Sequence, residues 1–160
     1  MQYSDTMWRI GNCVAYTDSY GSLDLDMGFT PVNVVKFWRL EKQKSLYYSK
    51  EYTRTSKINN YTILYDQDGT EKFGLIKYFL ELQRITNNTS EFFVIAVIDE
   101  LCTAPFVRGS VIIPHLQTIV SMQQSYIPIA NIRLKCILID IPGENQIISH
   151  PYDFCAQLSL

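Results

Sequence analysis

The chain has 160 residues, of which 47% are hydrophobic and 19% charged, and its formal net charge at pH 7 is −2. This composition excludes a disordered segment, because the apolar content is too high, and it argues against a uniformly basic nucleic-acid coat. The length corresponds to one domain with its own hydrophobic core. Eleven Tyr and eight Phe favour β structure over helix.

The first 30 residues are rich in acidic and turn-forming residues, and only residues 12–16 are strand-like. We therefore predict a partly irregular lead-in over residues 1–30, a β domain over residues 31–145 and a C-terminal tail over residues 146–160.

A basic hairpin is predicted at the start of the β domain. Residues 34–40 and 46–52 are strand-like and are separated by the polar residues 41–45, which is the pattern of a hairpin. Seven of the fourteen basic residues lie between residues 36 and 57. From strand alternation we expect these cations on the outward face and at the tip, with alternate aromatic side chains pointing inward. The seven are Lys36, Arg39, Lys42, Lys44, Lys50, Arg54 and Lys57.

Aromatic residues are interleaved with these cations, a pairing that suits nucleic-acid phosphates and unstacked bases. Two other interpretations stay open for the same residues. The cations can belong to a solvated sheet edge, where Lys prevents edge pairing, and the aromatic side chains can pack in the core. A cage for a methylated lysine would need three aromatic residues converging on one cavity. The candidate aromatic contacts are Trp38, Tyr47, Tyr48 and Tyr52.

Three strands are predicted in the middle of the chain. Residues 60–65 end at the Asp-Gln-Asp-Gly sequence 66–69, a strong turn signal, and residues 72–82 form the partner strand. Gly74 inside that partner predicts a bulge or a close approach of backbone. The apolar run at residues 91–99 is typical of a strand buried on both faces.

The last third of the chain is less clear from its pattern. Residues 115–123 fit either a helix or a strand. Residues 127–141 form another apolar stretch, in which Pro128 precedes the strand proper and Pro142-Gly143 ends it. Since no long segment combines a cap with a 3.6-residue period, we predict a mainly β fold with few short helices. The expected architecture is a single small barrel or a strongly curved antiparallel sheet.

Catalytic and metal-binding motifs are weak. Asp99 and Glu100 end a buried strand as catalytic carboxylates often do, but no spacing selects a third acid for them. Asp66-x-Asp68-Gly69 lacks the remaining ligands of a calcium loop. The cysteines form no C-x-x-C pair, which favours buried free thiols over a zinc site. We predict no catalytic residue, metal or cofactor. The cysteines are Cys13, Cys102, Cys136 and Cys155.

The cell compartment is predicted from what the sequence lacks. The N-terminus has no basic segment followed by an apolar run, and no window approaches 18 uninterrupted apolar residues. We therefore expect an intracellular protein, nuclear if the basic hairpin binds DNA, with no membrane association.

Four short segments between residues 36 and 140 carry a family resemblance. They are the Tyr-Ser-x-x-Tyr-x-Arg run at 48–54, Asn60-Tyr61-Thr62-Ile63, the Gly-x-Ile segment within 73–79, and the I-P-x-x-x-I-x-x-K-C run at 127–136. The first three resemble a domain found downstream of the catalytic region in transposase-like proteins of invertebrate mobile elements. The fourth is similar to the closing strand of bromo-adjacent homology (BAH) domains.

The resemblance implies a non-enzymatic interaction module of a transposon-derived protein, with a BAH-like or SH3-like barrel. Such a module would contact DNA or chromatin proteins through the basic hairpin. The alternative is a protein–protein docking module within a larger transposase-like protein. The oligomeric state stays open.

Overall fold

The structure, a computed structural model, describes residues 1–16, 28–52 and 61–149. These residues form thirteen strands and one 3₁₀ helix, and all strand pairs are antiparallel. The predicted mainly β, antiparallel fold is confirmed. The strands are β1 (Gln2–Ser4), β2 (Met7–Arg9), β3 (Cys13–Ala15), β4 (Asn33–Phe37), β5 (Arg39–Lys42), β6 (Ser45–Tyr48), β7 (Thr62–Gln67), β8 (Thr70–Thr86), β9 (Thr89–Arg108), β10 (Val111–Pro128), β11 (Ile132–Lys135), β12 (Ile137–Ile139) and β13 (Ile147–Ser149), with the 3₁₀ helix at Ile129–Asn131.

The strands form two sheets. The small sheet has the order β1-β2-β5-β6, and the large sheet has the order β11-β7-β8-β9-β10-β13-β12. Strand β8 is 17 residues long, so its first half pairs with β7 and its second half with β4, which in turn pairs with β3.

Neither of the two predicted architectures, a small closed barrel or a strongly curved sheet, forms among the described residues. Strands β11 and β12 stand at the two ends of the large sheet and do not pair with each other, so both sheets are open. Along the chain the two strands are separated by Cys136 alone. Strand β11 pairs with β7, and strand β12 pairs with β13. Leu134 and Leu138 nevertheless pack against one buried cluster that also contains Cys136.

Tight turns connect the long strands. Asp68 and Gly69 have φ of 53° and 78°, and Asn87 and Asn88 have φ of 51° and 62°. Two consecutive residues with positive φ are typical of the type I′ turn, whose twist matches that of paired strands. The turn predicted at 66–69 is confirmed. The Asn-Asn turn explains why β8 and β9 extend beyond the predicted ranges 72–82 and 91–99.

The predicted strand at residues 34–40 is in fact two strands. Trp38 separates β4, which pairs with β8 in the large sheet, from β5, which pairs with β2 and β6 in the small sheet. The hairpin is therefore β5–β6. Its turn residues Gln43 and Lys44 have φ of 50° and 67°. The ambiguous residues 115–123 belong to strand β10.

The core lies on both faces of the large sheet. Val94, Ala96 and Ile98 belong to a cluster with Leu40 of the small sheet, while alternate residues of β9 belong to a second cluster with Val34. Because side chains alternate along a strand, β9 is buried on both faces, as its apolar sequence predicted. The small sheet thus covers one face of the large one.

Strands also occur in the first sixteen residues and at the end of the last described range. Residues 1–16 contribute β1, β2 and β3, whereas the sequence predicted a single strand at 12–16. Strand β13 falls in the predicted tail and pairs with β10 and β12. Residues 17–27 and 150–160 of the predicted lead-in and tail lie outside the described residues.

Candidate nucleic-acid interface

Lys42 does not lie on the outward face of the hairpin, and that prediction is wrong. Its Nζ donates hydrogen bonds to the carbonyl oxygens of Ile129, at 2.9 Å, and of Ile132, at 2.8 Å. Ile129 is the first residue of the 3₁₀ helix, and its carbonyl also accepts the amide of Ile132, the residue that follows the helix. Burial lowers the pKa of Lys42 from its ordinary value. This cation joins the small sheet to the large one.

Lys36 is engaged at the surface of the large sheet. Its Nζ lies 2.9 Å from Oε2 of Glu51 and 4.0 Å from the ring centroid of Tyr78. The indole Nε1 of Trp38 donates to the same carboxylate oxygen at 3.4 Å. The charge of Lys36 is therefore balanced locally by Glu51.

Among the other described members of the basic cluster, Lys44 and Lys50 are exposed and Arg39 is half-buried. The guanidinium carbon of Arg39 lies 4.9 Å from the ring centroid of Tyr52. Lys44 is exposed in the β5–β6 turn, and Lys50 is exposed with its Nζ 4.0 Å from the Asp99 carboxylate. Arg54 and Lys57 lie outside the described residues.

The four candidate aromatic residues divide into two groups. Tyr47 is buried in the core between the sheets. Of the four candidates, it alone is a core residue, as the alternative interpretation expected. Trp38, Tyr48 and Tyr52 are half-buried, and the ring centroids of Tyr48 and Tyr52 are 5.2 Å apart. The Arg39 guanidinium lies over the ring of Tyr52. It therefore occupies the place that a methylated lysine would take in an aromatic cage.

The segment after β6 is positioned by backbone hydrogen bonds. The amide of Ser49 donates to the Trp38 carbonyl at 3.0 Å, and that of Lys50 donates to the Ile76 carbonyl at 2.6 Å. Ile76 lies at a register shift of β8, where the irregular ladder leaves this carbonyl available. The amide of Tyr52 donates to the Ser49 carbonyl at 3.1 Å. These bonds hold Tyr52 beside the hairpin.

These residues define a basic–aromatic strip. Arg39 and Tyr48 are directly opposite each other across the β5–β6 ladder, and Tyr52 contacts both. A cleft of about 170 Å³ opens beside them, lined by Ile10, Asn12, Trp38, Arg39 and Tyr52. The strip comprises Arg39, Lys44, Lys50, Trp38, Tyr48 and Tyr52.

The carboxylates considered from sequence are separated by the fold. Asp99 faces Lys50, whereas Glu100 accepts a hydrogen bond of 2.8 Å from Lys72. Consecutive strand residues point to opposite faces, so these two acids do not converge. Among residues 1–16, 28–52 and 61–149, no group of three or more His, Cys, Asp or Glu could hold a metal ion.

The cysteines differ in environment. Cys136 is buried, and its burial raises the pKa of the thiol to about 12. Cys13 and Cys102 are exposed, so the prediction of buried thiols is wrong for both. Cys13 lies on the outer strand β3 and Cys102 on the inner strand β9, positions that sequence spacing alone does not reveal. Cys155 lies outside the described part of the chain.

Two features were missed from the sequence. Glu81 is a buried carboxylate within the otherwise apolar middle of β8. The β9–β10 hairpin carries several exposed apolar side chains near its tip, among them Val107, Val111 and Ile112. The run Val111-Ile112-Ile113 next to Gly109-Ser110 was an available signal, because an apolar run beside a turn often meets solvent at a hairpin tip.

No protein-family model matches this chain, and no curated protein and no solved structure matches it either. In the ranges that the structure describes, no helix has the length and apolar character needed to cross a membrane.

Proposed function

We propose that this chain is a non-enzymatic interaction module of a transposon-derived protein that contacts DNA or chromatin through the basic–aromatic strip. One observation carries the proposal: Arg39 lies opposite Tyr48 and over Tyr52, and Lys44, in the turn of the same hairpin, and Lys50 are exposed. The family part of the proposal is supported only by the ordered sequence segments at 48–54, 60–63, 73–79 and 127–136. It implies a nuclear protein.

The strip suits unstacked bases better than an intact duplex. Half-exposed Tyr and Trp rings offer stacking surfaces, and Arg and Lys contact the backbone phosphates beside them. Bases within a duplex are already stacked on each other, so the aromatic groups would gain little there. Lys36 and Lys42 are engaged with other groups of the protein, so few cations are left to neutralise phosphates. In a plot of the logarithm of the binding constant against the logarithm of the salt concentration, we therefore expect a shallow slope, about −0.7 for each phosphate contact.

The test is a fluorescence-anisotropy titration of labelled single-stranded and duplex oligonucleotides at two salt concentrations. We expect tighter binding to the single strand, weakened by added salt. Arg39→Glu with Lys44→Glu, and separately Tyr52→Ala, should weaken it at least tenfold. Absent binding, or binding that salt leaves unchanged, would contradict the proposal.

The control is a second double variant that changes the net charge of the protein by the same amount as Arg39→Glu with Lys44→Glu. Arg108→Glu with Arg133→Glu alters two exposed arginines on β9 and β11 that are not members of the strip. This control should bind the oligonucleotide within about twofold of the wild type, after allowance for long-range charge effects. An equal loss in both double variants would show that only net charge matters, and the strip would not be the site.

A docking module within a larger transposase-like protein is the second candidate function. It is favoured by the exposed apolar side chains at the β9–β10 tip, where Val111 and Ile112 are each 62% exposed. Contiguous exposed apolar side chains often mark protein interaction sites. Titration against the other segments of the parent protein separates the two candidates. Docking through the tip predicts binding that survives Arg39→Glu with Lys44→Glu and is lost in Val111→Lys with Ile112→Lys.

A further inference from the structure

A cavity of about 380 Å³ lies between the small sheet and the large sheet. Strand β10 ends at Pro128, which is opposite Ile95 of β9, and the 3₁₀ helix follows it. Within the described residues, β9 therefore pairs with β8 alone from residue 89 to residue 94. The cavity opens where β10 no longer continues beside β9. We call it the inter-sheet cavity, and the lining residues that matter below are Met7, Lys42, Phe92, Val94, Ile129 and Ala130.

The walls of the inter-sheet cavity are mostly apolar. Val94 and Ile129 are buried members of the core cluster between the sheets, and Met7 packs against that cluster. Phe92 is 41% exposed, so it forms part of the rim. Pockets for small molecules typically have volumes of about 300–1,000 Å³ and apolar walls with a few polar groups. The volume and the walls therefore suit a small molecule with an apolar body.

Lys42 is the one charged residue among the described residues that line this cavity. A lysine ammonium has three N–H donors, and the carbonyls of Ile129 and Ile132 accept two of them. In the ranges that the structure describes, no carboxylate forms an ion pair with Lys42. Burial lowers its pKa, and no neighbouring anion offsets this effect. One N–H and one positive charge are thus left for a ligand.

We propose that the inter-sheet cavity binds a small carboxylate with an apolar chain, of the medium-chain fatty acid type. The carboxylate accepts the third N–H of Lys42, in a charge-assisted hydrogen bond. The chain lies against Val94 and Ile129, where burial of its methylene groups favours binding. The cavity shares no lining residue with the basic–aromatic strip except none of its members, so this site does not depend on nucleic-acid binding.

Charge complementarity selects this class of ligand. A half-buried charge is costly unless an ion of opposite sign pairs with it, and the carbonyl partners of Lys42 are neutral. An amine with the same chain would be repelled by the ammonium, and an alcohol would leave the charge unbalanced. Acetate would balance the charge but leave the apolar walls uncovered. A single carboxylate on an apolar chain satisfies both the charge and the walls.

The test is a titration of the ¹⁵N-labelled full chain with octanoate, octanol, octylamine and acetate, followed by the NMR shifts of backbone amides. We expect octanoate to bind saturably and to shift amides of residues 92–95 and 129–130. Octanol and acetate should bind at least tenfold more weakly, and octylamine should not bind. Octanol or octylamine binding as tightly as octanoate would overturn the role of Lys42, and acetate doing so would overturn the role of the apolar walls. Absent octanoate binding, or shifts confined to other residues, would overturn the proposal as a whole.

Ala130→Asp and Ala130→Asn form a matched pair of variants at an exposed position of the cavity wall. The two new side chains are nearly equal in size, but only Asp adds a carboxylate that competes for Lys42 and repels the ligand. Octanoate should therefore bind Ala130→Asp about fivefold more weakly than Ala130→Asn. The pair leaves the hydrogen bonds of Lys42 in place, so a loss of stability at Lys42 does not enter the comparison. Equal affinities of the two variants would contradict a carboxylate held by Lys42.

Discussion

The hydroxyl of Tyr3 donates a 2.6 Å hydrogen bond to Oε1 of Glu81, a residue only 6% exposed. Tyr3 lies in β1 of the small sheet and Glu81 in β8 of the large sheet. Nη1 of Arg9, in β2, lies 3.3 Å from the same carboxylate oxygen. A buried carboxylate needs such partners, because an unpaired charge in the interior is costly. This contact fastens the N-terminal strands to the large sheet.

Tyr3→Phe should therefore destabilise the fold. It removes one of the two partners of Glu81 and should lower the free energy of unfolding by about 2 kcal/mol, as for hydrogen bonds to charged groups. Urea denaturation followed by circular dichroism measures this. The control is Tyr48→Phe at a half-exposed position, which should stay within about 0.5 kcal/mol of wild type. Equal stability of Tyr3→Phe and wild type would contradict the role given to Glu81.

Stability should fall in alkaline solution. Burial, the largest cause in each case, raises the pKa of Tyr3, Tyr65 and Tyr78, and for Tyr3 the hydrogen bond to Glu81 adds to it. A phenol with a higher pKa in the folded state stabilises the fold. This stabilisation is complete below the pKa of the unfolded chain, about 10, and is lost as the pH rises from there toward the pKa of the folded state. Unfolding free energies measured through that range should decline. The free energy of unfolding of the Tyr65→Phe variant should decline less steeply with pH. The same slope as in the wild type would show that Tyr65 does not contribute to the loss of stability.

Gly74 should not tolerate a larger side chain. A Cβ at this position would lie 3.0 Å from Cδ1 of Ile98 and 3.2 Å from Cε1 of Tyr65. Gly74→Ala should therefore cost about 1–3 kcal/mol, the usual cost of overpacking. Ile98→Val removes the clashing Cδ1, so the double variant should be more stable than the sum of the two single changes indicates. Strict additivity in the double-mutant cycle would contradict this contact.

Lys42 and Lys44 should behave differently although they lie two residues apart. Lys42→Met removes two hydrogen bonds to the carbonyls beside the 3₁₀ helix and should lower stability by about 1–3 kcal/mol. Lys44→Met, on an exposed turn, should change it by less than about 0.5 kcal/mol. Oligonucleotide binding should show the reverse order, with only Lys44→Met weakening it. Thermal unfolding and anisotropy measured on both variants check this prediction.

Thiol reactivity should separate the cysteines. Cys13 and Cys102 are exposed, whereas Cys136 is buried with its pKa raised to about 12, which disfavours the reactive thiolate. Iodoacetamide should modify Cys13 and Cys102 in the folded protein and Cys136 only after unfolding, as peptide mass mapping would show. Early modification of Cys136 would contradict its burial.

Local patterns predicted several elements correctly. Asp68-Gly69 indicated a turn because both residues tolerate positive φ, and the apolar run at 91–99 indicated a strand buried on both faces. The prediction for Gly74 was only partly right, because its two nearest neighbours are the side chains of Ile98 and Tyr65, and the backbone oxygen of Asp99 is slightly farther away. Each of these features depends on conformational preferences or periodicity within a few residues.

Other features could not be read from local pattern. The change of sheet at Trp38 depends on pairing with β8 and β2, which are distant in sequence. Residues 115–123 have an apolar pattern that fits both periods, and pairing with β9 selects the strand. The exposed state of Cys13 and Cys102 likewise depends on which strands cover them.

The sequence by itself determined that this protein is mainly β, where its tight turns fall and that a basic cluster borders aromatic residues. Only the tertiary structure decided that Lys42 holds the two sheets together while Lys44 faces solvent, and that the sheets stay open. Turn and strand preferences act over neighbouring residues. The direction of a lysine and the partner of an edge depend on long-range pairing, which sequence periodicity does not specify.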